Sequence, residues 1–216
     1  MHRARPTTVF WDFGGVVTTS PFEAFRRYED EAGLPQDLIR TINATNPDTN
    51  AWAGLERSEL TVEEFVVAFE REAAELGHEV SGQRVLDCLS GDLRPAMVEA
   101  LRRCRDDLTC VCVTNNVRSG SGHGMATTTE RAEAIEQVME LFHVVVESSV
   151  VGVRKPERRF YELALDAAGC DANEVVYLDD LGINLKPAKA MGMRTIKVVD
   201  PDDARAELAM ITGIDL

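Results

Sequence analysis

The stretch TTVFWDFGGVVTTSPF, residues 7–22, places a lone carboxylate, Asp12, at the end of a short apolar run, with a glycine pair close behind it. In open α/β sheets, ligands bind beyond the carboxyl ends of the strands, so a charged side chain at a strand tip is a candidate for chemistry. Four further runs have the same character: LTCVCVT (108–114), HVVVES (143–148), EVVYLDD (174–180) and TIKVVD (195–200). Each is rich in Val or other strand formers and lacks simple in/out alternation, as expected of strands buried on both faces.

Helical patterns separate these runs. RPAMVEALRRCRDD (94–107) precedes the second, TTERAEAIEQVMELF (128–142) lies between the second and third, and PERRFYELALDAAG (156–169) and INLKPAKAMG (183–192) follow the third and fourth. A last helix, PDDARAELAMITG, begins at Pro201. Alternation of this kind predicts an α/β fold with a doubly wound, parallel, five-stranded sheet.

Residues 19–90 break the rhythm, with helical patterns and no good strand. Ser20-Pro21-Phe22-Glu23 reads as N-cap, N1 proline and capping-box glutamate. Thr61-Val62-Glu63-Glu64 repeats the capping-box signal before a helix with Phe65, Phe69, Ala73 and Leu76 on one face, ended by Gly77. The expected division is a core of residues 1–18 and 91–216, with a small all-helical cap of residues 19–90 inserted after the first strand. RSGSGHGMATT (118–128) reads as a loop after the second strand.

The 216 residues are 44% hydrophobic and 28% charged, enough to bury a core. No apolar run approaches the roughly 20 residues of a membrane helix. The opening MHRARPTT is basic but lacks a long apolar stretch after it, which argues against a signal peptide. A net charge of −14 disfavours nucleic acid as a partner, while a local site can still oppose that field and take a small anion. Five cysteines, Cys88, Cys104, Cys110, Cys112 and Cys170, form no C-x-x-C pair and no zinc-ligand spacing. Buried or half-buried thiols in a reducing cytoplasm are expected.

Polar residues cluster at the strand ends: Asp12 on the first, Thr114-Asn115-Asn116 on the second, Asp179-Asp180 on the fourth, with Lys155 in GVRKPE shortly after the third. Singly each has a dull explanation, since Asp or Asn at a strand end commonly caps the next helix. Together, an acid, a hydroxyl, a lysine and an acid pair point to a site.

The motifs FWDFGGVV, VTNN, GVRKPERRFY and YLDDLGINLKPAKAMGM resemble the four motifs of the haloacid dehalogenase superfamily of phosphatases and related hydrolases. The fourth motif and the tail that follows are most similar to the branch containing the N-terminal phosphatase domain of soluble epoxide hydrolase and the matching domain of certain long acyl-CoA dehydrogenases. The resemblance implies Asp12 as nucleophile, forming an aspartyl-phosphate that water hydrolyses. It also implies Mg²⁺ held by Asp12, the Gly14 carbonyl and Asp180. Thr114, Asn115 and Lys155 would bind the phosphoryl group, the lysine also balancing the nucleophile's charge. Asn184 stands where many relatives carry a second acid and would orient metal-bound water. Asp179 would contact the metal shell or, as the preferred reading, hydrogen-bond nearby backbone. The implied substrate is a small phosphorylated metabolite. Oligomeric state stays open.

One departure stands out. Most phosphatases of the superfamily carry aspartate two residues past the nucleophile, its side chain protonating the leaving group, and this chain has Gly14 there. General-acid help of that kind is worth about a hundredfold to ten-thousandfold in rate. A glycine suits a tight turn, which is the plain structural explanation. The chemical consequence would be a preference for anomeric, acyl or aryl phosphates, whose leaving groups need little protonation. His123, in the Gly/Ser-rich loop, is a second and weaker candidate proton donor. Trp52, Glu56 and Arg57 are candidate substrate-facing cap residues. The rival readings are a metal-free 2-haloacid dehalogenase, against which the LDD acid pair argues, and a catalytically weak binding or regulatory module.

Overall fold

The computed structural model describes residues 5–116 and 129–216. Five parallel strands form one sheet: β1 (Thr8–Trp11), β2 (Thr109–Thr114), β3 (Val144–Glu147), β4 (Val175–Asp179) and β5 (Arg194–Lys197), in the order β3-β2-β1-β4-β5. The register pairs Trp11 with Cys112 on one side and Leu178 on the other, so the tips of β1, β2 and β4 end side by side.

Alternate residues of the central strands enter different cores. Val9, Trp11, Cys110, Cys112, Val176 and Leu178 face one layer, formed by α6 (Pro95–Asp107), α7 (Thr129–Met139) and α11 (Pro201–Thr212). Phe10, Val111, Val113, Val175 and Tyr177 face the other, under α9 (Arg158–Ala168) and α10 (Gly182–Met191). This two-sided burial is why the strands read as continuous apolar runs. The cysteines follow the same geometry: Cys104, Cys110 and Cys112 are buried, Cys88 and Cys170 partly so, and all five are free thiols. Burial pushes the Cys104 and Cys110 thiols up to about 12.

Between β1 and α6 the chain forms α1 (Pro21–Ala32), α2 (Leu38–Ala44), α3 (Ala51–Glu56), α4 (Val62–Glu75) and α5 (Gly82–Asp87). They enclose a hydrophobic cluster of their own, in which Phe65, Phe69 and Ile39 are fully buried. The two connecting segments run antiparallel and bond to each other. Thr19 N–H donates to Asp92 O at 2.8 Å and Arg94 N–H to Val17 O at 2.9 Å. A Cβ on Gly91 would lie 2.4 Å from Thr19 O, so this close approach requires glycine.

Thr61 and Glu64 form the reciprocal capping box at the start of α4. Ser20 does not cap α1; its hydroxyl is used elsewhere, as described below. Leu76 departs from the expected face: the helix stops at Glu75 and Leu76 is 42% exposed, before Gly77 at φ 84°. A short helix, α8 (Ser148–Val151), follows β3 directly and takes Ser148 out of the strand. No helix among the described residues is long and apolar enough to cross a membrane.

Glu29 of α1 is 1% exposed, and its carboxylate accepts the backbone N–H groups of Asp37 (2.9 Å) and Ile39 (2.8 Å) at the start of α2. Removing a buried acceptor strands its donors, which costs about 1–3 kcal/mol. Glu29→Ala is therefore expected to lower the urea midpoint by that order, and Glu29→Gln, which keeps an acceptor, by less.

Candidate active site

Asp12 follows β1, its N–H donating to Leu178 O of β4 at 2.9 Å, and the residue is 7% exposed. Oδ1 accepts Phe13 N–H at 2.7 Å and the Lys155 ammonium at 2.8 Å. Lys155 is 1% exposed, and its Nζ also reaches Asp179 Oδ2 at 2.9 Å. The lysine thus bridges the tips of β1 and β4. Burial opposes its charge, but the carboxylates of Asp12 and Asp179 outweigh burial and hold its pKa above the ordinary lysine value.

Asp179 is fully buried and saturated. Besides Lys155 it accepts from the Tyr177 hydroxyl, from Asn184 Nδ2 at 3.1 Å to both oxygens, and from Leu181 N–H at 2.8 Å. Its contacts are those of a counter-ion and an anchor for the following loop. Asn184, also buried, turns toward Asp179. Tyr177 was hidden in the apolar run, although it lies two residues before Asp179 and therefore on the same strand face.

Asp180 points back across the β1 loop, and its Oδ2 accepts the Ser20 hydroxyl at 3.1 Å. Burial first, and Asp179 next, push its carboxyl up to about 6. Carboxylate oxygens of Asp12, Asp179 and Asp180 lie within 4.8 Å of one another. Burial also raises the Asp12 carboxyl well above its ordinary value; Lys155 works against this, and Asp179 and Asp180 add to it.

The two glycines after Asp12 differ. Gly15 has φ +78°, and a Cβ there would sit 2.3 Å from Asp180 Oδ2, so both conformation and space exclude a side chain. Gly14 has φ −68° and ψ 129°, open to any residue, and a Cβ would meet nothing within 4 Å. The turn therefore explains Gly15 but not Gly14. At Gly14 neither the backbone conformation nor the surrounding space calls for the absence of a side chain.

Thr114 ends β2 and is buried. The Asn115 side chain brackets the backbone of Lys155: Lys155 N–H donates to Oδ1 at 2.8 Å, and Nδ2 donates to Lys155 O at 3.0 Å. The same Nδ2 approaches Glu56 Oε2 at 3.3 Å. Of the three candidates in the insert, Trp52 packs among Phe25 and Phe65 and donates its indole N–H to Glu56 at 3.0 Å. Arg57 pairs with Glu157 at 3.0 Å, and Glu56 is buried against Arg154 at 2.6 Å. His123 lies outside the described residues.

Residues 6–192 match the haloacid dehalogenase-like hydrolases, and the chain belongs to that family of enzymes. It is 30% identical over 214 residues to acyl-CoA dehydrogenase family member 10 of Mus musculus, covering 96% of this chain and 19% of that protein. It is 29% identical over 218 residues to bifunctional epoxide hydrolase 2 of Sus scrofa, covering 95% and 39%. The chain thus spans well under half the length of these two relatives. Sesquiterpene phosphatase astK of Aspergillus oryzae is 24% identical over 205 residues, covering 94% and 95%.

Among solved structures, a HAD-hydrolase from Bacillus subtilis bound to magnesium superposes with a TM-score of 0.65 at 18% identity, covering 98% of this chain and 100% of that one. A HAD family enzyme from Bacteroides thetaiotaomicron in complex with magnesium and inorganic phosphate gives 0.57 at 17%, covering 89% and 93%. The L-2-haloacid dehalogenase of Xanthobacter autotrophicus gives 0.59 at 16%, covering 98% and 85%. At these identities the structures share the fold.

Substitution separates the two glycines. Gly15→Ala is expected to lower folding stability by about 1–3 kcal/mol through strain at positive φ, with the Asp180 clash in addition. Gly14→Ala is expected to be neutral or to stabilise by about 0.4–1 kcal/mol, because it restricts only the unfolded chain. Urea unfolding of both variants measures the contrast.

Proposed function

We propose that this hydrolase is a Mg²⁺-dependent phosphatase of small phosphorylated metabolites, working through an aspartyl-phosphate on Asp12. The observation that carries the reading is the clustering of Asp12, Asp179 and Asp180 oxygens within 4.8 Å of one another, beside a buried ammonium that pairs with the first two. When all three are ionised, three carboxylates against one lysine leave an excess of two negative charges, which would repel a phosphate. An all-oxygen donor set with that charge suits Mg²⁺. Asp12, Asp180 and the Gly14 carbonyl would hold the ion, which when bound supplies positive charge between the carboxylates and the phosphoryl group. Asp179 is excluded from that set by its hydrogen bonds and serves Lys155 instead.

In the proposed reaction, an Asp12 carboxylate oxygen attacks phosphorus in line, and the bond from phosphorus to the leaving oxygen breaks. Lys155 favours the ionised form of Asp12, orients it, and balances charge on the transferring group. The Thr114 hydroxyl and the Asn115 N–H receive phosphoryl oxygens. Water then cleaves the aspartyl-phosphate, releasing inorganic phosphate and restoring the carboxylate. With no side chain at Gly14, the leaving oxygen takes its proton from solvent. Substrates with good leaving groups, such as anomeric, acyl and aryl phosphates, are therefore favoured. The helices of residues 19–90 act as a cap over the site, a reading supported by their separate core and paired connections to the sheet. The interdomain movement described for the Bacillus subtilis neighbour supports a mobile cap as well.

A dehalogenase reading draws on the Xanthobacter neighbour and on the absent acid at Gly14. The Asp179–Asp180 pair disfavours it.

Hydrolysis of an aryl phosphate is expected to require added Mg²⁺, to stop with EDTA, and to vanish in Asp12→Asn. Halide release from 2-chloropropionate that persists in EDTA would replace this proposal with the dehalogenase. Gly14→Asp, which the backbone and the open space accommodate, is expected to raise turnover of a simple alkyl phosphate by about tenfold or more. An aryl phosphate should gain much less; equal gains on both would remove the leaving-group argument.

A further inference from the structure

Glu56 is the last residue of α3, and its side chain is 9% exposed. It does not lie free on the cap surface. Its carboxylate meets Arg154 Nε at 2.6 Å, Asn115 Nδ2 at 3.3 Å and Trp52 Nε1 at 3.0 Å. Trp52 is one turn earlier in the same helix, while Arg154 and Asn115 belong to the loops after β3 and β2. Burying a carboxylate is unfavourable unless charge and hydrogen bonds compensate, and this one has both. Burial raises its pKa, with Arg154 the strongest opposing influence.

The core partners are the residues next to the catalytic lysine. Arg154 precedes Lys155 in the chain. Asn115 holds both the N–H and the carbonyl of Lys155, so its amide plane fixes the backbone from which the ammonium projects. The same Asn115 Nδ2 is shared between Lys155 O and Glu56. Around this point the insert docks by polar contacts: Arg154 Nη1 donates to Pro47 O at 2.9 Å, and Ser58 donates to Ser149 O at 3.1 Å. A contact made of long polar side chains across two separate hydrophobic cores is suited to breaking and reforming.

We propose that Glu56 is a positioning residue: when the insert is seated on the sheet, its carboxylate locks Asn115 and Arg154, and through them holds the Lys155 segment in working position. Lysine alignment is thereby conditional on the seated insert. The role assigned to Lys155 rests on the phosphatase reading above; the contact chain from Glu56 to the Lys155 backbone does not. Glu56 is then a part of the reaction machinery supplied by the insert, without touching the substrate.

Two readouts test this on the full chain carrying Glu56→Ala, Glu56→Gln, Arg154→Ala or both alanines. The first is amide hydrogen exchange at Lys155 relative to Leu178 in the sheet. Glu56→Ala is expected to speed Lys155 exchange about tenfold or more with Leu178 unchanged, as local opening without global unfolding. The second is p-nitrophenyl phosphate hydrolysis with Mg²⁺. Glu56→Ala is expected to lower kcat by about tenfold to a hundredfold through misalignment. KM should stay within about threefold. Glu56→Gln, which keeps an oxygen for its donors, recovers most of both. The double variant is expected to lose less than the product of the two single losses, because both substitutions remove the Glu56–Arg154 link.

Lys155 exchange unchanged in Glu56→Ala overturns the proposal whatever the assay reads. A rise in KM at constant kcat overturns it by making Glu56 a substrate contact, and so does a double variant whose losses multiply. If Glu56→Ala fails to fold, Glu56→Gln and Arg154→Ala decide by the same criteria. A wild-type protein inert toward phosphates defeats the phosphatase reading, and Lys155 exchange still decides this one.

Discussion

The site is organised around a charge that would be prohibitively unfavourable alone. Lys155 is an ammonium with almost no contact with water, lodged between the carboxylates of Asp12 and Asp179. A buried ion pair holds only if both members keep their charge and their remaining bonding capacity is filled; removing one partner costs about 3–5 kcal/mol. The chain meets that demand on the Asp179 side with Tyr177, Asn184 and the Leu181 N–H, and on the Asp12 side with Phe13 N–H. Asp12, the nucleophile under the proposed reaction, is fixed by the same contacts. Parallel β1 and β4 make this possible, because their register brings two acids to one level at the carboxyl edge.

The turn after Asp12 shows how two identical residues answer to different forces. Gly15 lets the backbone pass against Asp180 at positive φ. Gly14 is under no such constraint, and under the proposed reaction its bare Cα leaves the departing oxygen without a side-chain proton donor. In the proposed reaction the burden of the departing oxygen shifts to the substrate, whose own leaving-group acidity sets the rate.

The helices between β1 and α6 bury a hydrophobic cluster of their own. The paired segments around Thr19 and Asp92 tether them, and polar contacts at Glu56, Arg57 and Ser58 seat them. Apolar burial stabilises each part, and hydrogen bonds and ion pairs cross the boundary between them. Acyl-CoA dehydrogenase family member 10 and bifunctional epoxide hydrolase 2 are far longer than this chain, whereas the sesquiterpene phosphatase is of similar length, so the matching unit occurs both within longer proteins and as nearly a whole chain.

Five strands, their alternation with helices, and the acids, hydroxyl and lysine at the carboxyl edge were all visible in the sequence. They follow from short-range rules: a strand buried on both faces must be apolar, and a polar residue at its end interrupts that run. Pairings between distant residues were not visible. Ser20 carries a strong local signal for capping α1, yet its hydroxyl goes to Asp180, 160 positions away. Tyr177 looks like one more core aromatic until its hydroxyl meets Asp179. Glu56 reads as a candidate substrate-facing residue until Arg154 and Asn115 arrive from two other loops. Local periodicity determines which elements form, because it acts within a turn or a strand. Which polar groups meet depends on sheet register and on how the helical insert seats against it, and those are settled only when the whole chain packs.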